Sequence, residues 1–223
     1  MKRYLVPSLV AVLFAGAVSF AAEPRTVALP KPDLTGKVTL EQAIAQRRSV
    51  REYAPGALTL AEVSQLMWAA QGITGEDGRK RAVPSARAVY PIQVWLVAMD
   101  VNGLAPGIYR YEPEGHALAL VRAGGPREAI VAATPRQAMF ERAPAVVAVV
   151  GDSVLAAGKF GGNAARWLGM EAGFAVQEVY LQATALGLGT VMVGGFQPAP
   201  VRAALGLPEG SLPLGLMPVG RRK

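Results

Sequence analysis

Three short stretches, far apart in a chain of 223 residues, carry side chains suited to a polar, anionic ligand. The first is Arg47-Arg48-Ser49-Val50-Arg51, with three guanidiniums and a hydroxyl within five residues. Arginine is planar, permanently charged and bidentate, so the segment fits a phosphate and a polar ring edge. It also fits a solvated helix end, because cations favour a helix C-terminus. The second is Pro84-Ser85-Ala86-Arg87-Ala88-Val89-Tyr90-Pro91, a turn sequence ahead of an apolar run. The third is Gly187-Leu188-Gly189-Thr190-Val191-Met192-Val193-Gly194-Gly195-Phe196, followed by a basic Arg221-Arg222-Lys223. Taken alone, the paired Gly194-Gly195 is an ordinary strand-ending turn.

Other chemistries lack their residues. Cysteine is absent, which removes disulfides, thiolate nucleophiles, iron–sulfur clusters and thiolate zinc sites. His116 is the only histidine, and Glu114-Gly115-His116 reads as a turn with an exposed imidazole. A Ser-His-Asp triad or a histidine-based metal site is therefore disfavoured. Neither a Gly-x-Gly-x-x-Gly fingerprint nor a Walker-type loop is present. With no evident catalytic side chain and no metal set, a bound cofactor is the natural carrier of any reaction.

The elements that must position these stretches are legible as patterns. Thr39-Leu40-Glu41-Gln42 and Thr59-Leu60-Ala61-Glu62 both have capping-box spacing and predict two helices, the second burying Val63, Leu66, Met67 and Ala70. Residues 92–99 and 145–150 are apolar on both faces and predict buried strands. Between them lies a hairpin over 107–121 and a short helix over 126–134. Residues 163–186 form the longest helical pattern, apolar or small almost all round. Either the core or a subunit interface would satisfy it; an interface is preferred, at least in part, with Ala172 as an interface position. A strand over 190–193, a helix over 198–205 and a strand over 214–219 complete the chain.

The first residues read differently. Lys2 and Arg3 precede an apolar run over 9–20, with Ser19-Phe20-Ala21 at the end. This is the layout of a cleaved signal peptide over 1–21, and it predicts an exported protein, periplasmic or secreted. Residues 22–37 read as an extended arm and 38–223 as one domain. Loss of Lys2 and Arg3 takes the formal charge from +7 to +5. The basic residues are scattered, so no nucleic acid is expected as partner, nor stable membrane insertion once the signal is gone.

In their order and spacing the three stretches resemble the nitroreductase family of FMN-dependent oxidoreductases. The Pro-Ser turn with Tyr90-Pro91 is similar to the branch containing azoline-oxidising dehydrogenases of peptide maturation. The resemblance implies an α+β fold: a central, mainly antiparallel sheet flanked by helices, in an interlocked homodimer. It implies FMN bound by Arg47, Arg48, Ser49 and Arg51, with Arg47 and Ser49 at the phosphate and ribityl chain and Arg51 at the ring. It implies that Pro84, Ser85 and Ala86 touch flavin from the partner subunit, that Gly194 and Gly195 offer a backbone N–H to flavin N5, and that Arg221 reaches the phosphate. Proteins of that azoline-dehydrogenase branch usually have glycine where this chain has Arg87, a departure that puts a bulky cation beside the flavin, at its entrance or in solvent. The implied reaction is ping-pong hydride transfer from NADH or NADPH to an electron-poor acceptor such as a nitroaromatic or quinone. A flavin-dependent dehydrogenase or oxidase of a small or peptide substrate, and a flavin-binding protein without turnover, are the alternatives.

Overall fold

The computed structural model describes residues 26–135 and 137–223. The expected signal peptide lies outside the described residues.

The two apolar runs form the middle of the sheet. They are β4 (Ile92–Ala98) and β8 (Ala145–Asp152), antiparallel to each other. Because side chains alternate along a strand, each run serves two cores. Val94, Leu96, Ala145 and Val147 face one side, where they meet Leu66, Met67, Val179 and Met217. Trp95, Val97, Val146 and Ala148 face the other, where they meet Ile130, Phe140, Val201 and Leu205. A strand apolar on both faces needs helices on both, and both are supplied. On the first side lie α1 (Leu40–Gln46), α2 (Leu60–Gln71) and α6 (Ala164–Ala185). On the second lie α3 (Arg127–Ala133), α4 (Met139–Arg142) and α7 (Pro198–Leu205). A third cluster joins α5 (Ser153–Phe160) to the first half of α6 through Phe160, Leu168 and Ala172.

The remaining strands are β1 (Thr26–Ala28), β2 (Tyr53–Ala54), β6 (Gly107–Glu112), β7 (Ala117–Ala123), β9 (Leu188–Thr190) and β10 (Ser211–Arg222). The sheet runs β1-β7-β6-β4-β8-β10-β2, with β9 also on β10. Its ladders are antiparallel. Two further pairs of residues, β3 (Leu58–Thr59) and β5 (Val101–Asn102), form a small parallel ladder. The expected α+β architecture is present. The arm is not wholly irregular, since Thr26–Ala28 adds an edge strand to β7.

Both capping boxes form: Thr39 caps α1 with Gln42, and Thr59 caps α2 with Glu62. The β10 strand is longer than its apolar stretch and carries two prolines, which cannot donate to a ladder. Pro213 sits at a register shift against β8. The Pro218 carbonyl accepts hydroxyl hydrogen bonds from Tyr53 (2.9 Å) and Thr190 (2.9 Å). Those side chains help tie β2 and β9 to the strand.

Helix α6 spans 22 residues, about 33 Å. Leu168, Glu171, Ala172, Ala175, Val179, Tyr180, Ala183 and Thr184 form its buried stripe. Ala172 is therefore a residue of the chain's own core, packed with Ile92 and Leu168, which corrects its reading as an interface position. The outward stripe carries Gly169, Met170, Gly173 and Phe174, all exposed. His116 also departs from expectation. Its Nδ1 lies 2.8 Å from the Tyr111 hydroxyl and its Nε2 2.7 Å from Ser64 Oγ and 2.9 Å from the Pro30 carbonyl. It pins the arm to α2 and the β6–β7 hairpin.

Candidate functional site

The arginine segment begins where α1 ends. Arg47 is the C-cap residue, its N–H bonded to the Ala43 carbonyl. Arg48 Nη1 donates to the carbonyls of Ala45 (3.0 Å) and Arg47 (2.8 Å), so this cation takes the helix-end role. Arg47 and Arg51 make no ion pair among the described residues. Ser49 pairs in parallel with Thr190, and Val50 N donates to the Thr190 carbonyl at 2.9 Å. That bridge sets the first stretch beside the third.

Tyr180 of α6 binds the two together. Its hydroxyl is 3.2 Å from Ser49 Oγ and accepts from Met192 N at 2.7 Å. The Arg47 guanidinium lies 5.0 Å from its ring centroid, within cation–π reach. With the Met192 N–H on the phenol oxygen, the phenol proton can go to Ser49, which leaves the serine proton for a ligand. Beyond Met192 the chain turns through Gly194 and Gly195. Neither N–H has a hydrogen-bond partner among the described residues, whereas the Gly195 carbonyl accepts from Gln137 Nε2 at 3.0 Å. A Cβ placed on Gly195 would meet open space, so its backbone is open to a ligand.

The Pro84-Ser85-Ala86 turn packs against an earlier part of α6. Ala86 N donates to Glu171 Oε1 at 2.9 Å, and Tyr90 N donates to Ser85 Oγ at 2.8 Å. Arg87, Ala88 and Tyr90 all have positive φ, at 56°, 53° and 53°. Such angles cost a side-chain-bearing residue free energy and would favour glycine at the Arg87 position. The Arg87 side chain runs to the end of α5. Its Nη1 donates to the Lys159 carbonyl at 3.1 Å, with the guanidinium 6.0 Å from the Trp167 ring centroid.

Not all expected residues converge in one chain. Glu171 and Tyr180, which anchor the turn and the arginine segment, are nine residues apart on α6, about 13 Å along its axis. Arg221 is engaged elsewhere. It forms a two-pronged ion pair with Glu62, donates to the Ala57 carbonyl at 2.8 Å, and so holds β10 to the start of α2. Burial pushes the Glu62 pKa up, but hydrogen bonds from Arg221 and Thr59 outweigh it and hold the carboxyl below its ordinary range. Arg222, the next residue, is exposed. No cluster of metal-ligating side chains occurs among the described residues.

The profile of the nitroreductase family matches residues 44–221, which span all three stretches. The chain belongs to the nitroreductase family. With the family come an oxidoreductase activity and FMN as cofactor. Among nitroreductase relatives, a Methanocaldococcus jannaschii protein provisionally named a nitroreductase is 39% identical over 197 residues, covering 88% of this chain and 98% of its own. A Ralstonia eutropha structure, described in the same provisional terms, is 27% identical with a TM-score of 0.78, covering 89% of this chain and 90% of that one. The fold is shared more widely. The Escherichia coli microcin synthetase McbBCD complex, with truncated pro-MccB17 bound, contains a chain that is 19% identical with a TM-score of 0.70, over 97% of this chain and 85% of that one.

Tyr180, Glu171 and Glu62 were invisible as site residues in the sequence. The available signal was polarity out of place: Glu171 and Tyr180 fall on the buried stripe of a helix otherwise apolar or small there.

Proposed function

We propose that the protein is an FMN-dependent reductase that takes hydride from NADH or NADPH and delivers it to a small electron-poor acceptor, a nitroaromatic or a quinone, by a ping-pong cycle. One observation carries this reading: Tyr180 joins Arg47 and the Ser49 hydroxyl to Met192, two residues before Gly194 and Gly195, whose N–H groups are free among the described residues. These donors fit FMN, which has an anionic tail and a flat ring with polar edges. FMN, when bound, supplies the hydride-accepting and hydride-donating centre. Arg47 and Ser49 hold its phosphate and ribityl chain, with Arg48 fixing the helix end that presents them. Arg51 supplies positive charge at the ring edge, where negative charge develops. Gly194 and Gly195 give N–H donors to the ring edge without a side chain in the way. Arg221 contributes by fixing the end of β10, so that Arg222 is the more available cation there.

By the family resemblance the Pro84-Ser85-Ala86 turn serves the flavin of the partner subunit, so the reading includes a homodimer whose partner completes each site. The exposed Gly169 and Gly173 on α6, with open space at their Cβ positions, allow a close contact there. For a nitro acceptor the balance is RNO2 + NADH + H+ → RNO + NAD+ + H2O. Residues 1–21 direct the chain out of the cytoplasm and are then removed. The no-nucleic-acid expectation follows from scattered charge, and no helix among the described residues is long and apolar enough to cross a membrane.

Purified protein should be yellow, and anaerobic NADH or NADPH should bleach its flavin absorption. A colourless protein that takes up no FMN would overturn the reading. Bound flavin that neither nicotinamide bleaches would favour the substrate-oxidising or non-catalytic alternatives.

A further inference from the structure

Glu171 is only 4% exposed, the sole charged side chain so deeply buried among the described residues. It makes no ion pair. Its Oε1 accepts from Ala86 N, and its other oxygen has no partner among the described residues. That oxygen is not sealed from solvent, and Glu171 lines a cavity of about 300 Å³. The volume is at the lower end of small-molecule sites, roughly 300–1,000 Å³. The cavity walls are Trp167, Met170 and Phe174, and its rim is the Pro84 turn. The open oxygen, with no cation beside it, offers an acceptor to a donor that enters the cavity. Aromatic faces and a thioether around it favour a cation with an apolar body. Arg87 does not fill this role, since its guanidinium donates to the Lys159 carbonyl.

We infer that this cavity seats the electron acceptor and that Glu171 selects acceptors bearing a cationic nitrogen on an aromatic body. The inference rests on the proposed reductase reading, which puts the Pro84 turn beside the flavin. It makes Glu171 a specificity-determining residue and narrows the acceptor class.

The test compares 4-nitrobenzylamine, 4-nitrobenzyl alcohol and 4-nitrobenzoate as acceptors for the FMN-loaded protein. The ammonium compound should lead the alcohol in kcat/KM by about tenfold or more, the scale of a charge-assisted hydrogen bond. The carboxylate should trail both. Glu171→Gln keeps an acceptor for Ala86 N and should keep FMN, yet the lead should vanish, mostly through KM. Benzylamine, which cannot be reduced, should perturb Trp167 fluorescence in wild type and lose affinity in Glu171→Gln; this is measured with and without FMN. No preference for the cation, or an equal preference in the variant, overturns the inference. Loss of FMN in Glu171→Gln overturns it too, by reducing Glu171 to a support for the turn. If benzylamine fails to bind and Glu171→Gln instead lowers dimer content, the counter-ion belongs to a second copy and the inference also falls. Failure to bind FMN at all sinks the reductase reading, whereas benzylamine binding without FMN still reports on the cavity.

Discussion

The Tyr180 hydroxyl lies 3.2 Å from Ser49 Oγ across 131 residues of sequence. The same oxygen accepts from Met192 N, and Arg47 lies over the same ring. One phenol thus sets two of the ligand-binding stretches relative to each other. Tyr180→Phe keeps the ring and removes both hydrogen bonds, so affinity for FMN and for riboflavin should fall together by about 1 kcal/mol. Arg47→Ala should behave differently. FMN affinity should fall by about 1.5–3 kcal/mol, the range for a hydrogen bond to a charged group, while riboflavin, which lacks the phosphate, barely changes. Fluorescence titration with the two flavins separates the roles, and equal losses in Arg47→Ala would refute its placement at the phosphate.

Arg87 carries a left-handed backbone, with φ at 56°. Arg87→Gly and Arg87→Ala both lose the contact with Lys159, but only glycine relieves the backbone. The glycine variant should be more stable than the alanine variant by about 1 kcal/mol in urea denaturation. Equal midpoints would mean that the turn relaxes in the variants.

Glu62 gives a pH dependence. Its folded pKa is lowered from 4.5, so the ion pair with Arg221 contributes in full above that value. The contribution fades as pH falls through the lowered folded value. Glu62→Gln should therefore reduce stability at neutral pH, with the gap to wild type closing on acidification. Denaturation midpoints measured against pH give the answer, and a gap that widens in acid would reverse the sign argued here.

The dimer can be probed from the exposed side of α6. Gly173 has open space at its Cβ position, so Gly173→Arg should leave the fold intact. If two copies meet there, dimer content and FMN occupancy should drop together. Light scattering that found a monomeric wild type with full FMN would contradict the shared site.

Intact mass tests the leader. Protein recovered from its host should begin at Ala22, and retention of Lys2 would refute cleavage.

Legibility in the sequence followed the range of the forces involved. Both capping boxes and the helix Pro198–Leu205 were readable because their determinants are local. The central strands were readable because burial on both faces leaves an unbroken apolar run. Strand ends were not. The expected strand at 190–193 forms at Leu188–Thr190, because β10 sets its register, and β10 itself extends beyond its apolar centre by pairing its first residues with β8 and its last with β9 and β2. The arginine segment was recognisable by type, but which cation is free depends on partners distant in sequence. Arg48 went to a helix end and Arg221 to Glu62. Ala172 was misplaced because composition alone cannot say which side of an apolar helix meets its own sheet.

The position of β10 bears on timing. It leaves the ribosome after every strand it pairs with, yet it stands inside the sheet, bonded to β8, β9 and β2. Until it arrives, β8 exposes an unpaired edge and β2 and β9 have no strand to join. Contacts that span so much sequence are slow to form. Under the proposed export, that delay would hold the chain open for threading through a translocation channel.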